Sequence, residues 1–301
     1  MKKHLLTGHL LALFVSIVWG TAFIAVKVLL EDFHPIEVML FRFALAWAAL
    51  FLFSPKPLPP KSLRAELPFL GAGATGLTLY FILQNYALKF SFASTVGIII
   101  SAAPMFTALL LWLSHRAPRP GKAFFTGFVL AMAGITLISV AQGDHLDLNL
   151  IGCLLTLGAA FCWGAYGVCI ELTEQSGYTS LQVTRKVFFW GLVFSLPFIW
   201  INRLDLSLDR FAKPELLFCI LYLGLGASAL CFAAWNRAVV LIGSVATNIY
   251  IYLMPVITLV ASAFILKEPV TVFSVGAIAL IVLGLWLSQR GTPAAASSQS
   301  K

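Results

Sequence analysis

The side chains able to do chemistry in this 301-residue chain are few, and most of them interrupt long apolar runs. Trp19 and Trp163 fall in the middle of two such runs, on stripes at helical spacing: Ala12, Ser16, Trp19, Phe23 and Lys27, then Thr156, Ala160, Trp163, Gly167 and Glu171. The stripes correspond one to one at an offset of 144. Indoles ordinarily collect at membrane interfaces, so two at mid-depth either line a cavity or pack beside small neighbours. Tyr80 and Gln84 share a helix face, as do Asn248, Tyr252 and Pro255, while Ser101 and Pro104 place a polar, kinkable point in another run. Polar groups in hydrocarbon need partners, so this set either glues helices together or converges on a midplane cavity. The candidate solute-binding residues are therefore Trp19, Tyr80, Gln84, Ser101, Trp163, Asn248 and Tyr252.

Charged residues within the runs are candidate gates: Lys27 and Arg42 toward one membrane face, Glu171 and Arg185 toward the other. Glu37 stands close enough in sequence to pair with Arg42, and Lys186 adjoins Arg185. A mid-helix Arg, Lys or Asp costs about 2.5–3.5 kcal/mol to insert, so such positions call for a reason. The alternative for Lys27 and Arg42 is simple snorkelling to the headgroups. No Asp, Glu or His lies near a midplane, which argues against coupling through a central carboxylate and for facilitated diffusion or exchange. Cys153, Cys162, Cys169, Cys219 and Cys231 all fall inside runs without zinc or redox spacing, and His4, His9, His34, His115 and His145 sit at run ends or in loops. There is no phosphate-binding glycine loop, no nucleophile with a buried base, and no charge ring or carbonyl filter. No catalytic residue, metal site or cofactor is expected, and an enzyme or channel is disfavoured.

These residues must be positioned by membrane helices. The chain is 60% apolar and 11% charged, far from the 45–50% and about 25% of soluble domains. The net charge of +8 is carried by basic residues scattered singly, so no nucleic-acid face is expected. Ten runs are long enough to span a bilayer: 8–30, 35–53, 67–88, 92–113, 122–140, 150–172, 182–201, 214–236, 243–266 and 270–288. Breakers such as Ser54-Pro55-Lys56-Pro57, Pro118-Arg119-Pro120-Gly121 and Gly143-Asp144 separate them. Lys and Arg accumulate on the side of the amino terminus, which predicts cytoplasmic termini and residence in the plasma (cell inner) membrane. The basic start Met1-Lys2-Lys3-His4 resembles a signal peptide, but its apolar run passes Trp19 without a cleavage site, so it reads as an uncleaved span. The Ala/Ser-rich segment 291–301 is expected to be a disordered cytoplasmic tail.

The two halves repeat. Trp19-Gly20 matches Trp163-Gly164, Asn85-Tyr86-Ala87 matches Asn236-Arg237-Ala238, and Ala103-Pro104 matches Met254-Pro255, the last two at an offset of 151. Five helices per half forces the second copy to enter the membrane from the opposite side. The predicted fold is all-α and integral to the membrane, ten transmembrane helices arranged as two inverted five-helix repeats, 1–143 and 144–290.

The segments Trp19-Gly20-Thr21-Ala22-Phe23-Ile24-Ala25-Val26-Lys27, Phe41-Arg42-Phe43, Tyr86-Ala87-Leu88-Lys89 and Leu266-Lys267-Glu268-Pro269-Val270-Thr271 resemble the EamA branch of the drug/metabolite transporter superfamily over residues 8 to 288. The resemblance implies a ten-helix exporter of amino acids or related small metabolites. One departure stands out: Glu268 follows the ninth span, whereas Ser114-His115-Arg116 follows the fourth. The expected protein is a secondary transporter for a neutral or zwitterionic, partly apolar solute such as a hydrophobic amino acid. The alternative is a membrane scaffold or partner subunit that transports nothing. Its partners are then the solute and the bilayer, with oligomeric state unspecified.

Overall fold

The computed structural model describes residues 2–60, 62–116, 118–140, 146–173, 176–242, 247 and 250–290, and among these it holds helices and turns but no strand. Ten helical runs follow in chain order: α1 Lys2–Leu29, α2 Pro35–Phe53, α3 Leu63–Phe90, α4 Ala93–Leu113, α5 Lys122–Val140, α6 Leu146–Thr173, α7 Ser180–Ile201, α8 Pro214–Ile242, α9 Tyr250–Ile265 and α10 Val272–Arg290. Seven of these, α1–α4 and α6–α8, are long and apolar enough to cross a membrane, and the others are shorter apolar helices. Asn248, the Gly143-Asp144 breaker and the segment 291–301 lie outside the described residues.

Helix starts follow from local chemistry. Pro35 and Pro214 occupy first-turn positions, where the missing N–H costs nothing. His34 and Thr179 cap α2 and α7 with the same reciprocal box, closed by Glu37 and Gln182 respectively. These two caps are 145 residues apart, a second mark of the repeat.

The packing carries the same symmetry. α1 packs on α8 and α9, and correspondingly α6 packs on α3 and α4; α2 packs on α8 as α7 packs on α3. The remaining principal pairs, α2 with α7, α4 with α9 and α5 with α10, join each helix to its own counterpart. Adding five to every helix number returns the same set of contacts. With five helices per copy, the two copies run through the membrane in opposite senses, so the relation is a pseudo-two-fold in the membrane plane.

Irregular backbone recurs at equivalent places. α3 contains a π-helical stretch at Gly73–Leu79 and α8 one at Tyr222–Leu230. Glycine is required at both. A Cβ on Gly73 would lie 2.7 Å from Trp190 Cβ and 2.8 Å from the Gly191 amide, and one on Gly224 would lie 2.7 Å from Leu45 Cβ. The wide turns re-aim the side chains that follow, Tyr80 and Phe81 in α3, Cys231 and Phe232 in α8. In α4, Ser101 and Ala102 form a turn between Ala93–Ile100 and Ala103–Leu113, just before Pro104. In α9, a 3₁₀ turn at Tyr250–Leu253 precedes Met254 and Pro255.

Large apolar side chains such as Leu52, Phe53, Trp200, Phe218, Phe264 and Val272 are exposed around the bundle. In water such a surface would aggregate; here it is the face presented to lipid tails.

Candidate functional site

At mid-depth the helices enclose a cavity of about 480 Å³, counting its opening. Eight wall residues are four symmetry pairs: Trp19 with Trp163, Phe81 with Phe232, Ile100 with Ile251, and Ala103 with Met254. Phe23, Arg42, Tyr80 and Gln84 complete the wall, and all four come from the first half. Their counterparts by the same offsets, Gly167, Val187, Cys231 and Trp235, do not line it. The cavity is thus a largely apolar box built by both repeats, with every polar wall group except the Trp163 indole contributed by one.

The aromatic walls hold each other. Trp163 meets Trp19 edge-on at 5.4 Å, and packs against Tyr80 at 5.3 Å, Tyr166 at 5.0 Å and Phe232 at 5.8 Å. Trp19 Nε1 donates to the Ala227 carbonyl at 2.8 Å, inside the π-helical stretch of α8, which fixes the ring across the two halves. Such ring pairs add about 0.5–1.5 kcal/mol each beyond the area they bury.

Of the sequence-derived candidates, Trp19, Tyr80, Gln84 and Trp163 meet at this cavity. Ser101 is fully buried and its Oγ donates back to the Ile98 carbonyl at 2.6 Å, away from the wall. Tyr252 is half-buried against a separate cluster containing Ile98, Ile99 and Met105. Phe81 and Phe232, absent from the sequence-derived set, share the 151-residue offset of the paired asparagines. Those asparagines are ties between helices: Asn85 Nδ2 donates to the Pro35 carbonyl at 2.9 Å, and Asn236 Nδ2 to Thr184 Oγ1 at 2.8 Å.

The four candidate gate charges take separate environments. Lys27 donates to the Ser91 carbonyl and lies 5.8 Å from the Phe92 ring, tying α1 to the α3–α4 link. Arg42 lies in the cavity wall, its Nε donating to Ser228 Oγ. Glu171 is exposed near the end of α6. Arg185 is buried, donates to the Lys56 carbonyl and lies 5.6 Å from the Phe51 ring.

Around them stand latches that sequence spacing did not reveal. On the side where α1 begins, Lys186 and Glu66 form a buried 2.7 Å ion pair, and Trp190 Nε1 donates to the same carboxylate at 3.0 Å. This pair borders a wide opening of about 980 Å³ lined also by Arg64, Phe69, Ser176 and Tyr178. On the far side, Glu37 pairs with Arg210 at 2.8 Å and accepts the Asp205 amide at 2.9 Å, so it serves the α7–α8 loop rather than Arg42. The Glu268 carboxylate accepts the amides of Ala93 and Ser94 at 2.7 and 3.1 Å and the Ser94 hydroxyl at 2.8 Å. It therefore caps α4 from the α9–α10 loop, satisfying free N–H groups with a charge that suits the helix dipole.

The far side also holds a titrating cap. His34 Nδ1 accepts the Ile36 amide at 3.3 Å, and its Nε2 lies 3.3 Å from the Tyr86 hydroxyl. Burial lowers the imidazole pKa below its ordinary value; Glu37 opposes this and Lys89 reinforces it. A depressed folded-state pKa means stabilisation present above about 6.5, the unfolded value, and lost as pH falls through the folded one. Melting temperature should accordingly drop between pH 7.5 and 5, and His34→Asn, which caps without titrating, should flatten that drop. Equal slopes for both proteins would remove His34 from the account.

Comparison with known proteins agrees with this architecture. Residues 6–140 and 150–289 each match the EamA-like transporter family. A "Probable terminal-alkyne amino-acid exporter" of Streptantibioticus cattleyicolor is 31% identical over 289 residues, covering 93% of each chain. A "Probable amino-acid metabolite efflux pump" of Escherichia coli is 26% identical, over 93% of this chain and 94% of that one. A crystal structure superposes with a TM-score of 0.65 at 17% identity, over 93% of this chain and 96% of the other, which speaks to the fold alone. A multi-pass helical bundle with a cavity lined by both halves and a family match across the whole chain converge: this protein is a membrane transporter, not an enzyme, and it belongs to the EamA-like transporter family of the drug/metabolite transporter superfamily.

Proposed function

We propose that the protein exports small neutral or zwitterionic metabolites, amino acids among them, by alternating access through the central cavity. The observation that carries this reading is the symmetry of the wall, in which Trp19 pairs with Trp163 and Phe81 with Phe232 across the two repeats. A site between the two repeats is reached from either mouth as they rock against one another, the arrangement of a carrier with inverted repeats. In this reading 1–143 and 144–290 are the two repeats, the membrane is the plasma membrane, and both termini are cytoplasmic, in keeping with the basic loops on that side. The Glu66–Lys186 pair then guards the cytoplasmic mouth, and the Lys27 and Glu268 contacts hold the outer one. Curated relatives whose names state amino-acid export support the cargo class.

The test is counterflow. Proteoliposomes preloaded with unlabelled phenylalanine should accumulate labelled phenylalanine transiently above protein-free liposomes. Folded protein that moves no amino acid from a full panel would reject this cargo class, and if it moved no other solute, would favour a scaffold.

A further inference from the structure

We infer that the cargo is held by a carboxylate, with Arg42 as its anchor and the second repeat as the apolar seat for the rest of the molecule; this rests on the proposed cavity being the transport site. Arg42 stands seven residues from the start of α2, about 10 Å along the helix. It is 3% exposed, and its guanidinium lies 4.3 Å from the Phe81 ring centre. Its Nε is engaged by Ser228 in the π-helical stretch of α8, so the side chain points across the bundle and does not snorkel. Among the described residues no carboxylate forms an ion pair with it, and neither Nη has a protein hydrogen-bond partner. Glu37, one and a half turns away on the same helix, is committed to Arg210.

A buried cation without a counter-ion costs several kcal/mol, and proteins keep one where something else supplies the negative charge. The planar fork of Arg42, stacked on Phe81 and oriented by Ser228, leaves its Nη groups to the cavity, a geometry suited to bidentate recognition of a carboxylate. Tyr80 and Gln84, from the same repeat, supply further polar groups to the wall. The wall residues of the second repeat, Trp163, Phe232, Ile251 and Met254, offer only apolar and ring surface, apart from the Trp163 indole. An ammonium group finds no carboxylate in this wall; it has ring faces, the Tyr80 hydroxyl and the Gln84 amide. The carboxylate should therefore dominate recognition, and the amine should be dispensable.

Three matched probes decide this: phenylalanine, 3-phenylpropionate, which lacks the amine, and 2-phenylethylamine, which lacks the carboxylate. Each is tested as a competitor of phenylalanine counterflow and as a thermal stabiliser of the purified protein in detergent. We expect 3-phenylpropionate to compete within a few-fold of phenylalanine and 2-phenylethylamine to be at least ten-fold weaker. Arg42→Gln should erase that preference and Arg42→Lys restore part of it. If Arg42→Gln does not fold, the wild-type ranking alone decides. An amine that competes as well as the carboxylates would overturn the anchor while leaving transport standing. Stabilisation by the carboxylates without any flux would support the anchor and sink the transport reading; no carboxylate preference in either assay would overturn the anchor.

Discussion

Replacing Lys186 with Met should lower the melting temperature of the purified protein by several degrees, more than removing both members of its ion pair together. Lys186 and Glu66 are each almost wholly buried, with side-chain exposures of 5% and 7% and a 2.7 Å contact between them. Their mutual attraction offsets the cost of taking two charges out of water, so deleting one partner strands the other. Such strandings cost about 3–5 kcal/mol, whereas replacing a buried pair with apolar or neutral groups is often neutral. Lys186 also lies 4.7 Å from the Phe69 ring and 5.0 Å from that of Tyr178, contacts a methionine chain keeps in part through its methylenes and sulfur. Glu66 would retain only the Trp190 donor. The double variant Glu66→Gln with Lys186→Met should recover most of the loss. Equal melting temperatures for single and double variants would mean the pair contributes by packing and not by charge.

Trp163→Ala should abolish most phenylalanine counterflow, by at least ten-fold relative to wild type, while Trp163→Phe retains a substantial part. The ring touches Trp19, Tyr80, Tyr166 and Phe232, so its removal opens a void at the centre of the wall. Truncating a buried Trp to Ala costs about 3–5 kcal/mol, and here the loss is shared between stability and the shape of the site. Comparing flux per correctly folded molecule, by size-exclusion profile and melting temperature, separates the two. Wild-type flux in folded Trp163→Ala would place the transported solute elsewhere.

The residues show where reading by spacing stops. Trp19 and Trp163 sit on regular helical stripes, and Tyr80 and Gln84 share one face of the α-helix that resumes after the π-helical stretch, so within each segment linear spacing maps to a face. Spacing at about 100° per residue puts Tyr252 on the face of Asn248 and Pro255. The 3₁₀ turn at Tyr250–Leu253 advances about 120° per residue instead, and it is Ile251 that reaches the wall. Ser101 falls in the turn that interrupts α4, and its hydroxyl is spent on its own helix. The π-helical stretches of α3 and α8 shift the register in the same hidden way before Phe81 and Phe232.

By itself the sequence determined the solvent, the helix count and the repeat. Apolar run length, proline and glycine breakers and matched offsets are local or periodic, and an apolar run of about 20 residues in hydrocarbon satisfies its own backbone as a helix. Tertiary structure decided which charges meet. Glu66 finds Lys186 120 positions away and Glu37 finds Arg210 173 positions away, and no spacing rule spans such intervals. It also decided where Arg42 points. The depth of that residue was legible, but its direction was not, because the azimuth of α2 is set by packing against α7 and α8. Turned toward lipid, the same arginine would be a snorkelling anchor; turned against Phe81 and Ser228, it becomes the one cation in the wall of a midplane cavity among the described residues.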